Sequence, residues 1–108
     1  MDELLDTCSA TTLVPACAER AWGELRALLD HLWPGQTEVL QACAGRQLVH
    51  AVCDGDEPDV WLTWVLEPLG PHATRVVLHL DELACNAPEP ELDVVLLALL
   101  SRCVPIAR

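Results

Sequence analysis

Basic residues are scarce in this sequence: six Lys and Arg together stand against 17 Asp and Glu, a formal charge of −11 over 108 residues. Such a chain repels phosphate backbones and anionic lipid headgroups, which excludes nucleic acid and membrane surfaces as partners. Long apolar runs are missing as well. The longest, Val94 to Leu100, covers seven residues, where a membrane-spanning helix needs about twenty. The opening Met1-Asp2-Glu3 has none of the basic character of a secretion signal, and the expected location is the cytoplasm.

The usual spacings of metal and nucleophile chemistry are lacking too. The six cysteines (Cys8, Cys17, Cys43, Cys53, Cys85, Cys103) are scattered singly with no CxxC pair, so they read as buried reduced thiols, small hydrophobes in effect. His31, His50, His72 and His79 form no HExxH or paired Cys/His pattern, and no metal site is expected. No Ser or Cys is set beside a base as a hydrolase requires. Asp54, Asp56, Glu57 and Asp59 lack the twelve-residue calcium loop with its terminal Glu and read as a solvated turn. No cofactor is called for.

What the chain does have is apolar content, 52% against 21% charged, at a length suited to one domain with one core. Thr7 to Val14 reads as a strand, after a short acidic start at Met1 to Asp6 that frays. Pro15 to Leu32 carries Ala18, Trp22, Leu25, Leu29 and Leu32 three or four apart, an amphipathic helix. Trp33-Pro34-Gly35 stops it. Thr37 to Cys43 and Arg46 to Cys53 are strands around Ala44-Gly45. The polar turn at residues 54 to 58 leads into a strand over Asp59 to Glu67, and Pro68-Leu69-Gly70-Pro71 makes the next break.

The last two strands alternate clearly. Val60, Leu62, Trp64 and Leu66 share one face, and Thr74, Val76, Leu78 and Leu80 continue it, with Thr74 alone interrupting the apolar set. Trp61, Val65 and Val77 lie on the other face, where they offer a patch for a homodimer. After the loop at Ala87 to Pro90, Glu91 to Cys103 is a helix with acids first and Arg102 last, as the helix dipole prefers. Its stripe of Leu92, Val95, Leu96, Leu99, Leu100 and Cys103 is widened by Val94, Leu97 and Ala98, so the segment should be largely buried.

Leu13-Val14-Pro15-Ala16 with Glu19-Arg20-Ala21-Trp22, the Trp33-Pro34-Gly35 stop, Gly45-Arg46-Gln47-Leu48-Val49-His50, and Trp64 to Pro68 followed by Ala73-Thr74-Arg75-Val76 occur in an order that resembles the START-like helix-grip superfamily. The branch most similar is the one named for homology to the activator of a heat-shock chaperone ATPase, which also resembles polyketide cyclases and dehydrases. The resemblance implies an α+β fold: a curved antiparallel sheet of about five strands wrapped around a long C-terminal helix. The superfamily usually has more strands between the first helix and Thr37, so this chain resembles a shortened version, with a smaller cavity or one completed by a partner subunit.

In that superfamily an apolar ligand lies between sheet and C-terminal helix, which here implies a pocket lined by Trp64, Leu66, Leu78, Leu96 and Leu99, with Trp33 beside its mouth. These side chains either surround a small apolar ligand or fill the space themselves. His50 faces inward beside Trp64 by the same alternation, as a general acid or base near neutral pH or as a core histidine bonded to the backbone. Asp30 and His31 end the first helix next to Trp33, where they are candidates for the pocket mouth, with Asp30 better read as solvated surface. His72 falls in a turn and His79 on the outer face. Two functions follow: binding of a small hydrophobic or aromatic molecule, in a cyclase-like enzyme or a carrier, or a non-catalytic protein-interaction module of the chaperone-activator type.

Overall fold

A computed structural model of the chain describes residues 8–54, 57–83 and 91–104. The acidic start, the loop at Ala87 to Pro90, Cys85 and residues 55–56 of the acidic turn lie outside the described residues. The elements run β1 (Cys8–Val14), α1 (Ala18–Leu32), β2 (Thr37–Cys43), β3 (Gln47–Asp54), β4 (Glu57–Gly70), β5 (Ala73–Leu83) and α2 (Leu92–Cys103). All neighbouring strands are antiparallel, in the order β1-β5-β4-β3-β2. The α+β class and the five-stranded sheet expected from the sequence are both present.

Alternation decides which way the sheet faces. Leu48, His50 and Val52 on β3, Val60, Leu62, Trp64 and Leu66 on β4, and Thr74, Val76, Leu78 and Leu80 on β5 are all buried, and both helices pack over this inner face. Thr74 interrupts the apolar set for a reason. Its hydroxyl donates at 2.8 Å to the carbonyl of Ala16, which ties the start of β5 to the link between β1 and α1 and satisfies a backbone acceptor that burial would otherwise strand.

Several boundaries differ from those read in the sequence. β4 does not stop at Glu67 but runs through Pro68 to Gly70, and Pro71-His72 form the two-residue connection to β5. Proline is tolerated there because the Leu66 N–H points toward β3, bonding the Arg46 carbonyl at 2.7 Å. Position 68 points the same way, and β3 has already ended at Gln47, so no ladder bond is lost. The turns after α1 and β2 use Gly35 and Gly45 at φ of 71° and 76°, a region favourable only to glycine.

The helices are rotated and shortened relative to expectation. On α1 the buried residues are Ala21, Leu25, Leu28 and Leu29, while Trp22 stays half-buried at the edge with the Arg26 guanidinium carbon 5.8 Å from its ring centroid. A small residue faces the sheet and the bulky indole does not. α2 is not a long helix: it has 12 residues against 15 for α1. It packs mainly on β1, with a smaller contact to β5, and beside α1. Arg102 of α2 reaches Glu24 of α1 at 3.1 Å. One-sided packing also corrects the expectation that α2 is buried almost all round. Leu92, Val95, Leu96, Leu99 and Cys103 are buried, whereas Val94 and Leu97 are 58% and 60% exposed.

β2 is the other correction. From Glu38 to Cys43 every residue is exposed, because β2 is an edge strand over which neither helix packs closely. Cys43 is therefore exposed and Cys17 and Cys53 half-buried, so of the four cysteines whose surroundings are described only Cys103 is a buried thiol. Burial, with Glu24 nearby, raises the pKa of that thiol.

Candidate functional site

β3 presents Leu48, His50 and Val52 inward, as the two-residue period requires. His50 is fully buried. The indole Nε1–H of Trp64 donates to its Nε2 at 2.8 Å, and its ring centroid lies 6.5 Å from Trp64 and 5.9 Å from Trp33. An indole nitrogen only donates, so Nε2 must be the unprotonated nitrogen and the neutral ring carries its proton on Nδ1. Nδ1 has no hydrogen-bond partner among the described residues.

Burial lowers the His50 pKa from 6.5 to about 4, and the positive charge of Arg26 acts in the same direction. A hydrogen-bonding contact with the Ala51 backbone pulls the other way, but among the described residues no acceptor meets Nδ1 in full hydrogen-bond geometry. His50 is therefore neutral at pH 7, with one nitrogen occupied and the other an unpaired donor in an apolar interior.

Beside this cluster a groove of about 280 Å³ opens between α1 and β2, lined by Arg26, Ala27, Leu29, Asp30, Thr37 and Val39. Its position follows from the register. Val39 pairs directly with His50 across the β2–β3 ladder, and directly opposed residues project to the same face. The groove thus lies on the inner side of the sheet, one strand nearer the edge than His50, which it reaches through Val39 rather than lining it directly. Trp33, the C-cap of α1, stands half-buried next to both, and the Thr37 hydroxyl donates to its carbonyl at 3.4 Å.

The pocket residues expected from the sequence divide in two. Trp64, Leu66, Leu78, Leu96 and Leu99 are all buried in one core cluster, with Trp33 packed against it. Trp33, Trp64 and His50 meet as rings. Leu96 and Leu99 lie on α2, which packs over β1 and β5. None of the five buried residues lines the α1/β2 groove. Of the groove residues only Asp30 had been singled out as a candidate site residue, and it is exposed at the rim; His31 beside it and His72 in the β4–β5 turn are exposed and do not line the groove. His79 is half-buried on the outer face. Arg26, Thr37 and Val39 were missed, although Thr37 and Val39 are two apart on β2 and share a face, and Arg26 and Asp30 are four apart on α1. On the outer face Trp61, Val65 and Val77 are half-buried rather than open, opposite Ala51, Gln47 and Thr11 respectively.

No family model matches the sequence, and no curated protein matches it either. Solved structures do match. A START superfamily protein from Mycobacterium smegmatis superposes with a TM-score of 0.58 at 17% identity, over 90% of this chain and 92% of that one. A protein from Bacillus thuringiensis superposes at 0.52 with 11% identity, over 91% of this chain and 93% of its own. The chain has the START-like, helix-grip fold. A di-domain aromatase/cyclase, BexL from the BE-7585A biosynthetic pathway, is looser still at 0.49 and 14% identity, covering 71% of this chain and 35% of that chain. Identities this low establish the START-like fold and nothing of the chemistry. Among the described residues no helix is long and apolar enough to cross a membrane.

Proposed function

We propose that this START-like domain binds a small hydrophobic or aromatic molecule beside Trp33 and His50, admitted through the groove between α1 and β2. The observation that carries the reading is His50: a fully buried imidazole between two indoles, with one nitrogen unsatisfied. Buried polar atoms are normally paired, and an unpaired donor one strand from a groove is a natural anchor for a ligand. The groove, at about 280 Å³, falls just below the usual range of roughly 300 to 1,000 Å³ for ligand pockets, which suits one or two rings rather than a lipid.

In its enzymatic form the reading is a cytoplasmic cyclase or dehydrase, which rests on the sequence resemblance. The role His50 then suits is a neutral hydrogen-bond donor to a developing oxyanion, because its only basic nitrogen already accepts from Trp64. The second reading, a protein-docking module, draws on the outward flank of α2, where Val94 and Leu97 are exposed.

Titration with two-ring aromatic compounds, followed by tryptophan fluorescence and calorimetry, tests the first reading. Saturable binding is expected in the wild type and should be lost in Val39→Arg, which blocks the groove from an exposed edge strand. Absence of any binding up to millimolar concentration, or full binding by Val39→Arg, would sink it.

A further inference from the structure

The pairing of Trp64 with His50 does more than fill space. A neutral imidazole can carry its proton on either nitrogen, and which one is decided by the hydrogen bond made by the other. At His50 the donor-only indole of Trp64 occupies Nε2 at 2.8 Å, and the ring is fully buried. Resting on the ligand-binding reading above, we infer that Trp64 is a specificity-determining residue: by locking His50 as the Nδ1–H tautomer it makes the site select ligands that bring a hydrogen-bond acceptor, a carbonyl or phenolate oxygen, on an otherwise apolar ring system.

The selection follows from the asymmetry between made and unmade hydrogen bonds. A ligand oxygen that reaches Nδ1 satisfies a donor that the fold leaves unpaired. A pure hydrocarbon of the same shape leaves it unpaired, and a ligand that only donates meets another donor. Trp33, half-buried and 5.9 Å from the imidazole at a 47° tilt, offers an aromatic surface to a planar ligand. Arg26 lines the groove, and its positive charge strengthens the preference for an acceptor oxygen. Trp64 acts here through His50 and is a positioning residue; His50 makes the contact.

The test uses a matched pair, 1-tetralone and tetralin, which differ in a carbonyl oxygen, together with the nitrogen-15 NMR pattern of the His50 ring in the free wild-type protein at pH 7. The ring should show protonated Nδ1 and bare Nε2, and tetralone should bind about tenfold more tightly than tetralin, the effect of one buried hydrogen bond. Trp64→Phe should turn the ring toward a tautomer mixture and bring the two affinities together; if that variant does not fold, the wild-type spectrum and the matched pair decide alone. Protonated Nε2, or equal affinity for both compounds, overturns the inference while leaving the ligand site standing. Failure of both compounds to bind overturns the ligand reading and this inference with it.

Discussion

On the side of the sheet built from β1, β5 and β4, both helices press down and the inward residues Val14, Leu62, Trp64, Val76 and Leu78 are sealed from water. On the β2 side the same sheet is bare, and Val39 and Leu40 are 42% and 49% exposed. Both halves use the same strand geometry and similar side chains. The difference is the helix above them: α1 and α2 side by side reach as far as β4 and stop near Trp33, the C-cap of α1. His50 sits on the seam, inside the sealed half by burial and beside the open half by register. A polar group placed deeper would be a pure loss, and one placed farther out would be solvated. The seam is where a fixed, water-free donor is within a side chain's length of an opening.

The sharpest way to break this contrast is at the sealed centre. Trp64→Ala removes the largest fully buried side chain and leaves Nε2 of His50 unpaired as well. Large-to-small changes of this kind cost about 4 kcal/mol, so chemical denaturation should show a domain near the limit of stability. A loss under about 1 kcal/mol would mean that the indole is not packed as described.

Much of the sealed half was legible in the sequence. Strict alternation over Val60 to Leu66 and Thr74 to Leu80 fixes a face because a slip of one residue would turn the whole apolar set to solvent. The inward placement of His50 with Leu48 and Val52 came instead from the family resemblance, with a one-residue slip of the hairpin as the open alternative. The open half was not legible. Thr37 to Cys43 reads as an ordinary strand, and nothing local tells an edge strand from a covered one, since cover is supplied by a helix distant in sequence. The extent of α2 burial failed for the same cause: a helix apolar nearly all round suggests enclosure, but Val94 and Leu97 face outward and are exposed. The groove between Arg26, Asp30 and Val39 depends on how far α1 overhangs the sheet, a tertiary quantity with no signature in spacing.

At the seam the expected effect is intermediate and depends on pH. His50 titrates near 6.5 in the unfolded chain and about 4 in the folded one. The folded state therefore disfavours the charged ring: the stability contributed by neutral His50 is complete above pH 6.5 and drains away as pH falls toward 4. Between pH 7 and pH 5 the loss should be about 2 kcal/mol. Carboxylates titrate in that window too, so the quantity to measure is the stability difference between wild type and His50→Gln, obtained from denaturant curves at each pH. A difference that stays flat from pH 7 to pH 5 would show that the imidazole is solvated rather than buried.

The smallest effect belongs to the bare half and completes the contrast. Leu40 sits at the register shift of β2, between the pairs Val39↔His50 and Gln41↔Val49, and is half exposed. A bulge on an edge strand twists the ladder and discourages pairing with a second sheet, so Leu40 has no role that requires its size. Leu40→Ala should change stability by less than about 0.5 kcal/mol, as surface substitutions do, against about 4 kcal/mol for Trp64→Ala two strands away. It should leave binding of two-ring ligands unchanged, because its neighbour Val39, not Leu40, lines the groove. A destabilisation of 2 kcal/mol or more, read as a shift in the denaturation midpoint at constant slope, would mean that the edge is covered in solution, and the account of β2 as the open side of the fold would have to be withdrawn.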